Sequence, residues 1–138
     1  MADAIKFEVV TPTGIILSVD VEDVYAPGQL GEFGVLEGHT DLICNLISGV
    51  VRYKTGGAVK NIAVGGGYAE VAPGKVNLLV DTAFMGEDIN ASEVDAELAA
   101  AEKAIDGVSE DDPDYAANKA IADFAKIKLA AAGGGKVQ

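Results

Sequence analysis

Residues 31–40 read GEFGVLEGHT: three glycines, two carboxylates and the only histidine of the chain, directly after a Pro27-Gly28 turn signal. Glycine supplies the backbone angles that tight turns and close approaches require. A segment this rich in glycine, bounded by alternating apolar runs, reads as a shaped loop and not as a linker.

The flanks read as strands. Ile5, Phe7 and Val9 alternate with Lys6 and Glu8, the period of a half-buried strand. Residues 15–24 (IILSVDVEDV) are rich in β-branched side chains and are interrupted by no proline. Further apolar runs follow at 42–47, 50–53, 59–64, 68–71 and 76–80. Turn signals stand between them: Pro12-Thr13-Gly14, Gly49, Thr55-Gly56-Gly57, Gly65-Gly66-Gly67 and Pro73-Gly74. Many short strands punctuated in this way predict an antiparallel sandwich or barrel. The triplet Gly65-Gly66-Gly67 lacks a following Gly-Lys-Ser/Thr, so it reads as a hairpin or bulge and not as a phosphate cradle.

Near residue 88 the chain changes character. Glycine is absent between Glu87 and Gly107, and alanine takes over. Asn90 and Glu93 form a capping box for a helix beginning at Ala91, with Val94, Leu98, Ala101 and Ile105 on one face. Gly107 stops it. A second helix opens with Asp112 as N-cap and Pro113 at the first position. Its apolar face is read as Ala117, Ile121, Phe124 and Lys128, with Ile127 and Leu129 beside it. The expected architecture is an all-β sandwich of about ten antiparallel strands over residues 1–87. A C-terminal antiparallel αα-hairpin follows over residues 88–138.

Composition removes several function classes. The net charge is -12, from 22 acids against 10 bases, with Arg52 the single arginine. Nucleic acid and anionic membrane surfaces both call for clustered Lys and Arg, so neither is an expected partner. No apolar run approaches the roughly 20 residues of a membrane span. The N-terminus lacks the basic-then-apolar pattern of a signal peptide, and the lone Cys44 fits a reducing compartment. His39, Asp41 and Ser48 have the side chains of a hydrolase triad, but no G-x-S-x-G elbow accompanies them. One His and one Cys cannot close a zinc site. Asp111, Asp112 and Asp114 lack EF-hand spacing and read as a charged helix start. No catalytic residue, metal or cofactor is expected.

Two features point to protein partners instead. In residues 42–47 both alternate faces are apolar apart from Asn45, so one face enters the core and the other needs a cover. Glu32 stands at a loop tip with no structural duty, which leaves partner contact and simple solvation both open.

A series of motifs then runs along most of the chain. It comprises Phe7-Glu8-Val9-Val10, Gly31-Glu32-Phe33-Gly34-Val35-Leu36 closed by Gly38-His39, Gly49 with Arg52, and Gly66-Gly67-Tyr68-Ala69-Glu70-Val71. A strand over 76–81 then leads into the alanine-rich hairpin. In this order and spacing the chain resembles the epsilon subunit of bacterial F-type ATP synthases. The resemblance implies a non-catalytic rotor subunit coupling the c-ring to gamma and the catalytic head. Its implied partners are the gamma subunit and the c-ring, with alpha and beta reached through the helices. It places the c-ring contact at Leu30, Gly31, Glu32 and Phe33, and the gamma contact at His39, Leu42, Cys44 and Leu46. Lys119, Lys126 and Lys128 become a regulatory face of the hairpin. The implied location is peripheral, on the cytoplasmic face of the bacterial inner membrane, with membrane association only through the complex.

Two departures from the family pattern matter. Some members bind ATP through Ile/Leu-Asp-x-x-Arg-Ala, whereas this chain has Ile89-Asn90-Ala91-Ser92-Glu93-Val94. A carboxylate in place of the arginine repels a triphosphate, so no ATP binding is expected. In bacterial members the hairpin can also extend and brake hydrolysis through basic contacts with an acidic segment of beta. Between Ser109 and Leu129 this chain has three lysines against five acids, and Lys119 can pair with Asp123 four residues on. A mobile hairpin that brakes poorly is the expectation. The competing class is a free-standing β-sandwich ligand sensor with mobile helices, and what co-purifies with the chain separates the two.

Overall fold

Alternation sets the first strand. Ile5, Phe7, Val9 and Thr11 of β1 (Ile5–Thr11) point into the core while Lys6 faces solvent. The structure, a computed structural model, describes residues 4–36, 38 and 41–133. Nine more strands follow: β2 (Gly14–Val21), β3 (Asp23–Gly28), β4 (Gly31–Val35), β5 (Leu42–Leu46) and β6 (Gly49–Thr55), then β7 (Ala58–Val64), β8 (Gly67–Ala72), β9 (Lys75–Val80) and β10 (Ala83–Met85).

The strands run in the order β10-β7-β6-β3-β5-β8-β9-β1-β2, with β4 paired to β3 off this path. The sheet folds over one core in which residues of β1 (Phe7, Val9), β6 (Val51, Tyr53), β7 (Ile62, Val64) and β9 (Val76, Leu78) meet. Phe7 and Tyr53 touch at its centre, ring centroids 5.3 Å apart. Burial raises the Tyr53 hydroxyl above its ordinary pKa, and the nearby Glu87 carboxylate adds to the effect. The pairings are antiparallel except β1 with β9, which lie side by side and parallel. The intervening strands supply the long crossover that a parallel pair requires.

Three sequence expectations change. The run 15–24 is two strands, because the chain turns a corner at Glu22. There the Glu22 N–H donates to the Lys54 carbonyl at 2.7 Å, tying the corner to β6. The glycine-rich segment is not a loop over its first half: residues 31–35 form β4, the return arm of a tight hairpin. The glycine triplet is not a hairpin either, since β7 and β8 are not neighbours. It carries the chain between two parts of the sheet at very close range. A Cβ on Gly67 would lie 2.0 Å from the Leu79 carbonyl oxygen.

After a short 3-10 turn (Gly86–Asp88) come α1 (Ala91–Ile105) and α2 (Pro113–Ala132). Their ends are those read from the sequence. Asn90 accepts from the Glu93 N–H at 3.2 Å, Asp112 accepts from the Asp114 N–H at 2.9 Å, and Gly107 takes φ 74° just past α1. The buried face of α1 is Val94 and Ala101, as expected. On α2 the face differs. Ala122 and Ala125 are buried on one side and Phe124, Ile127 and Ala131 meet the sandwich on another, while Ile121 is exposed. At 3.6 residues per turn these two sets lie on roughly opposite sides of the helix. Thus α2 is the middle layer, with α1 outside it and the sheet beneath. Close packing falls to alanine, so a reading by side-chain size misplaces the face.

Candidate functional site

The β3–β4 hairpin turns through Gln29 and Leu30, with Gly28 paired to Gly31. Gly31 has φ 128°, a region that strains any L side chain, and a Cβ on Gly28 would stand 2.7 Å from the Gly31 carbonyl oxygen. Across the same ladder the Tyr25 ring lies against Gly34, and the Arg52 guanidinium sits 4.9 Å from that ring centre. The tip is also tied to β5. The Gln29 N–H donates to the Asn45 carbonyl, and the Ile47 N–H to the Pro27 carbonyl, both at 2.9 Å. The result is a stiff projection that exposes Leu30, Gly31 and Glu32. Phe33 turns inward against the core and props the tip from behind. Such a tip offers an apolar contact and a hydrogen-bond acceptor, and no nucleophile.

In β5, Leu42, Cys44 and Leu46 share one face and Ile43 and Asn45 the other. Leu46, expected at a partner contact, is 5% exposed and belongs to the core. Its face of β5 is the one paired with the buried Ala69 and Val71 of β8, which turns it inward. Cys44 is half-buried, and burial pushes its thiol pKa up. Leu42 is 40% exposed, while Ile43 on the opposite face is 74% exposed. His39 lies outside the described residues.

The uncovered face extends well beyond β5. Strand register lines up Asn45, Tyr68, Leu79, Val10 and Ile15 across β5, β8, β9, β1 and β2. Tyr68 and Ile15 are exposed, and Leu79 and Val10 are half-covered. Ile43 borders this row. The row is apolar from Tyr68 to Ile15, with Asn45 between it and Ile43, and such a row on an otherwise acidic chain marks an interaction surface. The sequence pointed to a face needing cover but not to Ile43. The missing signal is pairing: Glu70 lies directly opposite Ile43, and a carboxylate there marks that face as the outer one.

At the hairpin, Lys119 meets Asp123 at 3.1 Å, Lys126 meets Glu102 at 4.0 Å and Lys128 meets Glu97 at 3.2 Å. Asn90, at the signature position of an ATP-binding aspartate, is occupied as a helix cap. Among the described residues no cluster of His, Cys, Asp and Glu could hold a metal ion, and no helix is long and apolar enough to cross a membrane.

The beta-sandwich domain model of the ATP synthase delta/epsilon chain matches residues 4–86. The ATP synthase epsilon chain of Geobacter metallireducens is 40% identical over 133 residues, covering 96% of both chains. That of Magnetococcus marinus is 42% identical over 131 residues, covering 95% of this chain and 96% of the relative. A chain of the Euglena gracilis mitochondrial ATP synthase, solved as an OSCP/F1/c-ring assembly, has the same fold. It gives a TM-score of 0.68 at 23% identity, over 94% of this chain and 77% of that one. With the motifs, the sandwich and its helical pair all matched at this depth over nearly its whole length, the chain belongs to the ATP synthase epsilon chain family.

Proposed function

We propose that this protein is the non-catalytic central-stalk subunit of a bacterial proton-translocating F-type ATP synthase, transmitting c-ring rotation to gamma and the catalytic head. The observation that carries this is the pairing, on one rigid sandwich, of a stiff exposed tip and an uncovered apolar band. Torque passes through such a body with little loss because every strand is hydrogen-bonded to a neighbour. The tip at Leu30, Gly31 and Glu32 contacts the c-ring, with Phe33 as its support. Gamma covers the region of His39, Leu42 and Cys44 together with Ile43 and the Tyr68 row. Leu46 shapes that region from within. The helices reach toward alpha and beta, and the complex keeps the chain peripheral at the cytoplasmic face of the inner membrane. No nucleotide binds at 89–94, where Glu93 stands in place of the arginine of the family's ATP signature.

Ile43→Asp and Leu42→Asp test the gamma surface. Each places a carboxylate where an apolar partner would bury it, so gamma affinity falls by about tenfold or more. Far-UV circular dichroism of both isolated variants should match the wild type, and melting of Ile43→Asp should too, because that side chain is 74% exposed. Wild-type gamma binding by both variants in a co-purification titration would place the interface elsewhere.

A further inference from the structure

Lys128 leaves α2 between the helix's two packing faces, and its ammonium reaches three elements at once. It lies 3.2 Å from a Glu97 carboxylate oxygen on α1, 4.7 Å from the Phe84 ring centre on β10 and 5.7 Å from the Phe124 ring centre on α2. The two rings are themselves in contact, 5.9 Å apart and tilted by 56°. The Lys128 side chain is 16% exposed, against 52% for Lys119 and 60% for Lys126. A cation held against aromatic faces and away from water is attracted more strongly than at an open surface, and salt screens it less.

The apolar contact around it is small. Val50, Ala63 and Ala131 are its buried residues, with Ile89, Phe124, Ile127 and Ala130 at the margin. Alanine surface attracts weakly and without direction, so it does little to fix where α2 sits on the sheet. A cation aimed at the Phe84 ring does fix it, since Phe84 is on the sandwich whereas Phe124 and Glu97 belong to the hairpin itself.

We propose that Lys128 is a clasp that holds the helical hairpin on the sandwich through its contact with Phe84, and that Glu97 positions its ammonium for that contact. Of the three lysines of α2, Lys119 and Lys126 pair within the hairpin and stand half-exposed, whereas the Lys128 ammonium also meets a ring of the sandwich.

The test uses the full chain alone and so does not depend on the partner assignments above. Ala131 is buried beneath α2, so a thiol in its place is alkylated when the hairpin lifts. In a Cys44→Ser, Ala131→Cys background, Lys128→Gln removes the charge and keeps a polar side chain. Labelling should accelerate about tenfold, the loss expected for a sheltered cation–π contact to Phe84. Lys128→Arg should restore the slow rate. Phe84→Leu should act like Lys128→Gln, and the double variant should be no faster than the faster single. Hydrogen exchange in β1, β8 and β9 should stay unchanged throughout. Labelling of Lys128→Gln within about twofold of the background would overturn the clasp, a change well below one sheltered contact. So would multiplicative effects in the double variant, or acceleration of strand exchange in step with labelling.

Discussion

The sandwich and the hairpin are built from different stock. The sandwich interior is large and fully enclosed: Phe7, Val9, Val51, Ile62, Val76 and Leu78 are all without solvent contact. The two helices bury Val94 and otherwise only alanines, namely Ala101, Ala122, Ala125 and Ala131. Burying a large aliphatic or aromatic side chain stabilises by about 1.5–3 kcal/mol, and alanine contributes far less. The sandwich is therefore held by its interior. The helices are held by propensity, by their caps and by a few contacts on the sheet. One region can be rigid and the other separable in the same short chain.

The largest effect expected from this contrast comes from Phe7→Ala. The ring is enclosed and rests on Tyr53, so its removal leaves a cavity that surrounding strands cannot collapse into. The loss should be about 3–5 kcal/mol, read from the urea midpoint of the sandwich transition. Helical signal lost in the same transition would show that α1 and α2 depend on the sheet. A loss under about 2 kcal/mol would mean that the core is less tightly packed than its burial implies.

The capped ends of both helices were legible in the sequence because caps are local chemistry. Asn90, Asp112, Pro113 and Gly107 act within a few residues of themselves. Strand content was legible for the same reason, through alternation. What could not be read was anything that depends on pairing. The corner at Glu22 is made by a bond to Lys54, and the outer face of β5 is identified by Glu70 across the ladder. Leu46 and Ile43 look equivalent in a run apolar on both faces. Their fates separate only when β8 is laid beside β5. Likewise Lys128 reads as one more basic residue on a helix until Phe84 and Glu97 are brought to it.

A middle-sized effect should stay inside the hairpin. Asp112→Ala removes the acceptor for the Asp114 N–H and the negative charge at the start of α2. The cost is about 1 kcal/mol, seen as faster hydrogen exchange in the first turns of α2. Strand exchange should not change, because the cap touches no sheet residue. Equal acceleration in β6 and β7, the strands beneath α2, would show that hairpin and sandwich open together, and the contrast drawn above would fail.

The smallest effect should have the opposite sign, and it lies where the two regions meet. Asn61 is 6% exposed on β7, on the same face as Ala63, which packs beneath α2. Its side-chain oxygen is buried without a hydrogen-bond partner. Beside it is a cavity of about 200 Å³, lined also by Lys60, Gly86 and Ala131. An unsatisfied buried acceptor costs about 1–3 kcal/mol, and a water in the cavity would recover part of that. Asn61→Ala removes the acceptor and loses only modest packing. Docking should tighten by up to about 1 kcal/mol, read as slower thiol labelling at position 131, while sandwich stability moves by less than about 0.5 kcal/mol. The sign is the informative part. In the interior of the sheet, truncating a buried side chain destabilises, whereas at this junction it should stabilise, because the side chain removed holds a buried acceptor unmatched. Faster labelling in Asn61→Ala would show that the oxygen is satisfied in solution and that the hairpin sits on a surface as well made as the core beneath it.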